Sequence, residues 1–183
     1  MRKKLESRKQ SAPTDFIQSV GALLKDVTEL GYVPILVGGM ALVTLGSTRV
    51  TKDFDFLIEE EARKKKKLMD VFYKHGLELV SKLDKFGNVL RTVDNPNVAF
   101  LKLDMDTPKS AYFYNHARGL RVDLLFDFPI PAKDVYKRSH QKKIQSHVFR
   151  IADKQDLLTM KEIAIQDRRL SSDLQDLEFL QEL

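Results

Sequence analysis

The chain contains no cysteine and no tryptophan, so disulfides and thiolate metal sites are excluded. Freedom from cysteine fits a reducing compartment, and the cytoplasm is the expected location. Its four histidines, His75, His116, His140 and His147, show no metal-ligand spacing, so no zinc is expected. No apolar run nears the roughly eighteen residues of a membrane span, and no membrane partner is expected. The opening MRKKLESRKQ is charged with no apolar segment behind it, which does not read as a secretory signal. Internal repeats are absent too.

What is present is a chain of 183 residues, 43% hydrophobic, enough for a real core. That length fits one domain, or a small α/β domain with a helical extension. The formal charge is +5, and the first ten residues hold five Lys/Arg against one Glu. The basic balance is therefore mainly a tail, either a solvated leader or a contact to an RNA or DNA acceptor. Residues 1–12 read as a disordered basic tail, 13–150 as the core, and 151–183 as a C-terminal helical segment packed on it.

Thr14 is a good N-cap, followed by Phe16, Val20, Leu23, Leu24, Val27 and Leu30 at helical spacing, with Gly31 as the stop. Val33–Val37 predicts a buried strand, Gly39–Leu45 a short helix and Asp53–Ile58 the next strand. Glu59–His75 predicts a charged helix ended by Gly76. Its run Arg63-Lys64-Lys65-Lys66-Lys67 is either a solvated helix face or a nucleic-acid patch. No aromatic residue interleaves with it, so base stacking is not indicated there. Residues 77–128 read as strand-rich, with Val98–Leu103 and Leu120–Phe126 the clearest runs. Turn signals fall at 86–88, 94–96 and 106–108. A polar connection over 129–146 leads to a short strand at Val148–Ile151, then helices near 154–169 and 173–182.

The segment VGGMALVTLGSTRVTKDFDFLI, Val37 to Ile58, carries the chemistry. Side chains alternate along a strand, so Asp53 and Asp55 face one way and Phe54 and Phe56 the other, into a core. Paired carboxylates at the end of a buried strand are costly unless neutralised. A divalent cation does this, because Mg²⁺ takes a few carboxylates together with substrate phosphates. Gly38 and Gly39 have a reason to be glycine, since backbone N–H groups approach a phosphate closely only where no Cβ intervenes. Gly46-Ser47 lies too near Asp53 for that task and reads as the end of the short helix.

The ordered set Gly38-Gly39, Ala41-Leu42, Arg49-x-Thr51 and Asp53-x-Asp55 resembles the DNA polymerase β-like nucleotidyltransferase superfamily. In detail it looks most like the AbiEii-type branch of minimal nucleotidyltransferases. The resemblance covers about 33–58, 120–127 and 151–180. It implies an α/β (α+β) nucleotidyltransferase fold, a mixed twisted sheet flanked by helices. It implies NTP as substrate and Mg²⁺ or Mn²⁺ as cofactor, held by Asp53, Asp55 and a third acid on a later strand. Asp123, inside the apolar run Leu120–Phe126, fills that place by resemblance; the alternative is an Asp paired with Arg121. Asp127 falls on the same strand face at its exit.

Lys161 falls within the apolar arc of Leu157, Leu158, Ala164 and Ile165 on a helical wheel, with Arg168 beside it. A lysine there needs a partner, or snorkels to water. The order Leu157-Leu158, Lys161, Arg168-Arg169 and Asp173-x-x-Asp176 matches the AbiEii-type pattern. By that resemblance Lys161 contacts the NTP phosphates and Asp173 supports the site. Arg49 and Thr51 either brace the phosphate loop, touch the phosphate, or are structural. Ser172 with Gln175 forms a capping box. The implied reaction is Mg²⁺-dependent transfer of an NMP from an NTP to an acceptor hydroxyl. The acceptor is RNA or tRNA, a protein, or a small molecule such as an antibiotic. The AbiEii-type likeness adds a toxin-antitoxin or defence setting and a cognate partner protein. The competing readings are a non-catalytic nucleotide- or partner-binding module on the same fold, and a basic RNA-binding protein.

Overall fold

The computed structural model describes residues 13–168 and 171–183. The basic tail, Arg169 and the side chain of Arg168 lie outside them. Helix α1 spans Pro13–Glu29, so Thr14 falls inside it and not at its cap. Strand β1 is Ile35–Val37, helix α2 Gly38–Thr44 and strand β2 Asp53–Ile58. A 3₁₀ turn at Ala62–Lys64 leads into α3, Lys65–Lys74. Then come β3 (Glu78–Leu83), β4 (Val89–Val93) and α4 (Pro96–Asp106). Strands β5 (Ser110–Asn115) and β6 (Leu120–Phe126) follow. Helix α5 (Ala132–Arg138) and β7 (His140–Ile144) fill the stretch read as a polar connection, and β8 (His147–Ile151) is the short strand expected after it. Helices α6 (Lys154–Arg168) and α7 (Ser171–Glu182) close the chain.

The described strands form one mixed sheet in the order β4-β3-β5-β6-β2-β1-β8-β7. β2 runs parallel to β6 and antiparallel to β1, which is itself parallel to β8. Phe54 and Phe56 are buried on one face of β2, as the alternation requires. Val122 pairs with Phe54 and Phe113 with Val122, so Phe113 shares that face. Its ring meets Phe72 of α3 with centroids 4.3 Å apart. Val20, Leu23 and Val27 of α1 and Leu68, Met69 and Phe72 of α3 belong to the same core. Burial of such side chains contributes about 1.5–3 kcal/mol each. The opposite face carries the acids and is walled by α6.

Two further readings are corrected, at Val98–Leu103 and at Ser172, and the lysine run is resolved into local pairs. Val98–Leu103 is helical, within α4. Asn95 accepts hydrogen bonds from the Asn97 and Val98 N–H groups, and Pro96 takes the first helical position. What reads as a turn between strands is thus a helix start. The lysine run is mostly paired locally: Lys64 with Glu61, Lys66 with Asp70, and a buried Lys65 with Glu60. Ser172 sits inside α7, since that helix begins by Ser171.

Candidate active site

The register brings the acids together. In the parallel β2–β6 pair, Asp55 stands opposite Asp123 and Asp53 opposite Arg121. Tyr112 of β5 stands opposite Asp123 on its other side. Side chains on paired positions share a face, so these groups form one row across three strands. The row opens into a cleft of about 500 Å³. Gly38, Gly39, Arg49, Thr51, Asp53, Asp55, Asp123, Lys161 and Asp173 all line it. The sequence-predicted site residues therefore meet at one place.

Each arrives for a local reason. Gly38 has φ +63°, which glycine adopts without strain. A Cβ there would lie 2.0 Å from Asp55 Oδ2, so Gly38 lets the β2 carboxylate pack against the β1–α2 turn. A Cβ on Gly39 would come within 2.9 Å of the Arg49 guanidinium. These contacts account for both glycines before any phosphate is considered. Gly46 has φ +108° and follows α2, where Ser47 N–H reaches back to the Leu42 carbonyl at 3.0 Å. That is a helix C-terminal closure, as expected. The Thr51 hydroxyl accepts from Asp53 N–H at 3.4 Å.

Asp123 is buried and gripped by Arg121, Nε to Oδ1 at 3.0 Å and Nη2 to Oδ2 at 3.2 Å. The Arg121 guanidinium also lies over the Tyr112 ring, 4.8 Å from its centroid. Desolvation, then the neighbouring Asp55, push the Asp123 carboxyl up from 3.8 to about 7, against the pull of Arg121. Negative charge is crowded here even with a guanidinium in place. Asp127, by contrast, is outside the cleft. Its carboxylate accepts from Glu60 N–H and Ala132 N–H, both at 2.8 Å, and clasps the exits of β2 and β6.

The facing wall is α6, which contributes Leu157, Met160, Lys161, Ile163 and Ala164. Lys161 Nζ lies 2.9 Å from Asp173 Oδ1 and 2.6 Å from Asp176 Oδ2. The lysine side chain is 12% exposed against Asp173, itself 2% exposed, so it does not snorkel to water. Asp176 also pairs with Arg49. One buried carboxylate thus joins the loop before β2 to the α6 wall. Sequence reading left Asp176 out of the site. The signal was its i+3 spacing from Asp173, which sets both on one helix face. Tyr112 and Phe128, which also line the cleft, carried no signal of this kind.

A hard divalent cation suits this donor set, because two carboxylates share one strand face and the donors are oxygen. Among the described residues no group of three or more His, Cys, Asp or Glu forms a metal cage by itself. Mg²⁺ and Mn²⁺ do not need one where a substrate's phosphates complete the shell.

No protein-family model and no curated protein matches the sequence. Solved structures do match. One is the antibiotic-resistance factor ANT(2'')-Ia, with TM-score 0.60 and 11% identity over 92% of this chain and 84% of that one. A second is the lincosamide antibiotic adenylyltransferase LnuA, with TM-score 0.54 and 9% identity over 90% of this chain and 95% of that one. A third is an antigenic nucleotidyltransferase-like protein from Paracoccidioides brasiliensis, with TM-score 0.58 and 15% identity over 91% and 75%. At such identities the likeness establishes architecture. The chain has a nucleotidyltransferase fold, a mixed twisted sheet flanked by helices with two C-terminal helices. No described helix is long and apolar enough to cross a membrane.

Proposed function

We propose that the protein transfers a nucleoside monophosphate from an NTP to an acceptor hydroxyl in a metal-dependent reaction. The observation that carries this reading is the row Asp53, Asp55 and Asp123 facing the cation wall of Arg49 and Lys161 across one cleft. Asp53 and Asp55 would hold Mg²⁺ or Mn²⁺, with Asp123 beside them. When bound, the ion neutralises triphosphate charge and acidifies the acceptor hydroxyl.

The chain's own residues do the rest. Lys161 and Arg49 face the triphosphate and orient it, while Gly38, Gly39 and Thr51 shape the floor beneath it. Asp173 and Asp176 hold Lys161 in place. The acceptor oxygen forms a bond to the α-phosphorus as the bond to the bridging oxygen of pyrophosphate breaks. Asp123 takes the hydroxyl proton. Positioning and charge complementarity supply most of the rate. The AbiEii-type resemblance adds a toxin-antitoxin or defence setting with a cognate partner protein to the proposal.

A second reading, a non-catalytic nucleotide- or partner-binding module, draws on a specific observation. Arg121 already spans both oxygens of Asp123. Incubation with each α-³²P-labelled NTP, Mg²⁺ and total cellular RNA, beside Asp53→Ala/Asp55→Ala, separates the two. Label transferred by the wild type alone is the expected result. Thermal stabilisation by Mg²⁺–NTP without transfer favours the binding module. Neither label nor stabilisation overturns the NTP site.

A further inference from the structure

A second cavity, of about 380 Å³, shares no lining residue with the cleft. It lies between α1, the end of α3 and the β5–β6 turn. Asn115 and Leu120, which line it, pair with each other on the strand face of Phe113 and Val122, opposite to the acids. Ser19 and Ala22 leave room for it, because both are small and share one face of α1 at i, i+3. Buried Leu77 and Leu120 give it an apolar base. Lys74 and His75 reach it from the end of α3, and Arg118 from the β5–β6 turn. No acid is among the described residues that line it.

The basic groups are held in place from behind. Asp26 of α1 stands 2.9 Å from both Lys74 Nζ and His75 Nε2, so one carboxylate orients the pair. Arg118 donates to the Ser19 hydroxyl, and its backbone N–H donates to Asn115 Oδ1 at 3.0 Å. Asn115 is 8% exposed, and its Nδ2 donates to the His75 carbonyl at 3.1 Å. This one buried amide ties the turn that carries Arg118 to the end of the helix that carries Lys74. Gly76 has φ +70°, and a Cβ there would come within 2.9 Å of the same amide nitrogen. Two helices and a turn thus set the spacing of the basic groups without filling the space between them.

We infer that this cavity binds a small phosphate monoester, at a site separate from the transferase cleft. A phosphate monoester presents three strong acceptor oxygens and a charge of about −1.5 to −2. That matches an arginine, a lysine and a histidine at one cavity. The planar guanidinium suits phosphate oxygens in particular. A carboxylate offers two oxygens and a single charge, and so leaves one of the three basic groups unused. A bare inorganic ion would leave the apolar base uncovered. The volume falls within the range of small-molecule sites, roughly 300–1,000 Å³, and the mix of a few polar groups over an apolar base is typical of them. The inference stands independently of the transferase reading above.

The test uses the full chain in chelator, so that no metal draws phosphate into the cleft. The probes are phenyl phosphate, inorganic phosphate and benzoate. Binding is read from the His75 ring signals by ¹H–¹³C NMR, assigned with His75→Gln, and the ring of His140 on β7 is the internal control. Phenyl phosphate is expected to shift the His75 signals saturably and to leave His140 in place. Arg118→Ala should weaken it about tenfold or more, as the loss of a charged hydrogen bond does. Lys74, 72% exposed, should matter less, and Lys74→Ala is expected to weaken binding about two- to fivefold. Ala22→Leu should block the site by filling it, with the melting temperature unchanged. No saturable shift at His75 overturns the site, as does binding undiminished in both Arg118→Ala and Ala22→Leu. Benzoate binding as tightly as phenyl phosphate overturns the phosphate assignment, and inorganic phosphate binding as tightly overturns the ester. Asp53→Ala/Asp55→Ala should leave the His75 response intact, and its loss there would put the ligand in the cleft instead. NTP transfer is scored separately, so either reading can fail while the other stands.

Discussion

Two regions of this protein set cations beside acids, and they do so in opposite ways. At the start of α3, Lys64 and Lys66 pair with Glu61 and Asp70 on the same stretch of chain, half in water. At the cleft, Lys161 and Arg49 pair with Asp173 and Asp176 from a different helix, and the two acids are almost wholly buried. The first kind is conspicuous in sequence and weak in energy. The second is scattered in sequence, and cutting it leaves charges buried without partners. A run of like charge is therefore a poor guide to where charge acts. The cleft uses isolated cations on otherwise apolar surfaces.

The comparison can be broken first at Asp176. Asp176→Ala strips an acid from both Arg49 and Lys161, and should cost about 3 kcal/mol by denaturant unfolding. Next comes pH. In the fold the Asp123 carboxyl titrates near 7, against 3.8 in the unfolded chain, so between these values the fold holds a proton that the unfolded chain has lost. Its contribution is full below about pH 4 and falls away as pH rises through 7. Asp123→Asn should flatten that part of the stability curve of protein kept in chelator. Gly38→Ala follows, at about 1–3 kcal/mol for a left-handed residue with a side chain. It should also abolish stabilisation by Mg²⁺–NTP, because the added methyl displaces Asp55. Smallest is Lys66→Ala on α3, at about 0.3–0.5 kcal/mol. A loss at Lys66 as large as that at Asp176 would erase the contrast.

Much of the inner cleft was legible because its signals are local. Asp53 and Asp55 alternate with Phe54 and Phe56, and strand period alone assigns their faces. Leu120–Phe126 is a strand, as its apolar run predicts. Lys161 declared itself as a cation on an apolar arc, although nothing local named its partners. Those lie across a helix turn and a second helix, where only packing decides. Val98–Leu103 misled for a related reason. Val98 and Leu101 are apolar yet exposed, so the run looks like a buried strand while being a helix surface. The grip of Arg121 on Asp123 was one of two readings of a single pair of residues, and only coordinates show the guanidinium spanning both oxygens.

Strand order has a consequence for how the molecule is made. β1 lies between β2 and β8, so a strand near the start of the chain waits for one near residue 150 before it has both neighbours. On a ribosome the strands bearing Asp53, Asp55 and Asp123 emerge and can pair while the α6–α7 wall is still inside the exit tunnel. For that interval the acids have Arg49 and Arg121 beside them, while Lys161 and the apolar side chains of α6 are absent. Nascent chains should thus present an acidic, half-built groove to solvent, and the last helices to be synthesised convert it into a cleft.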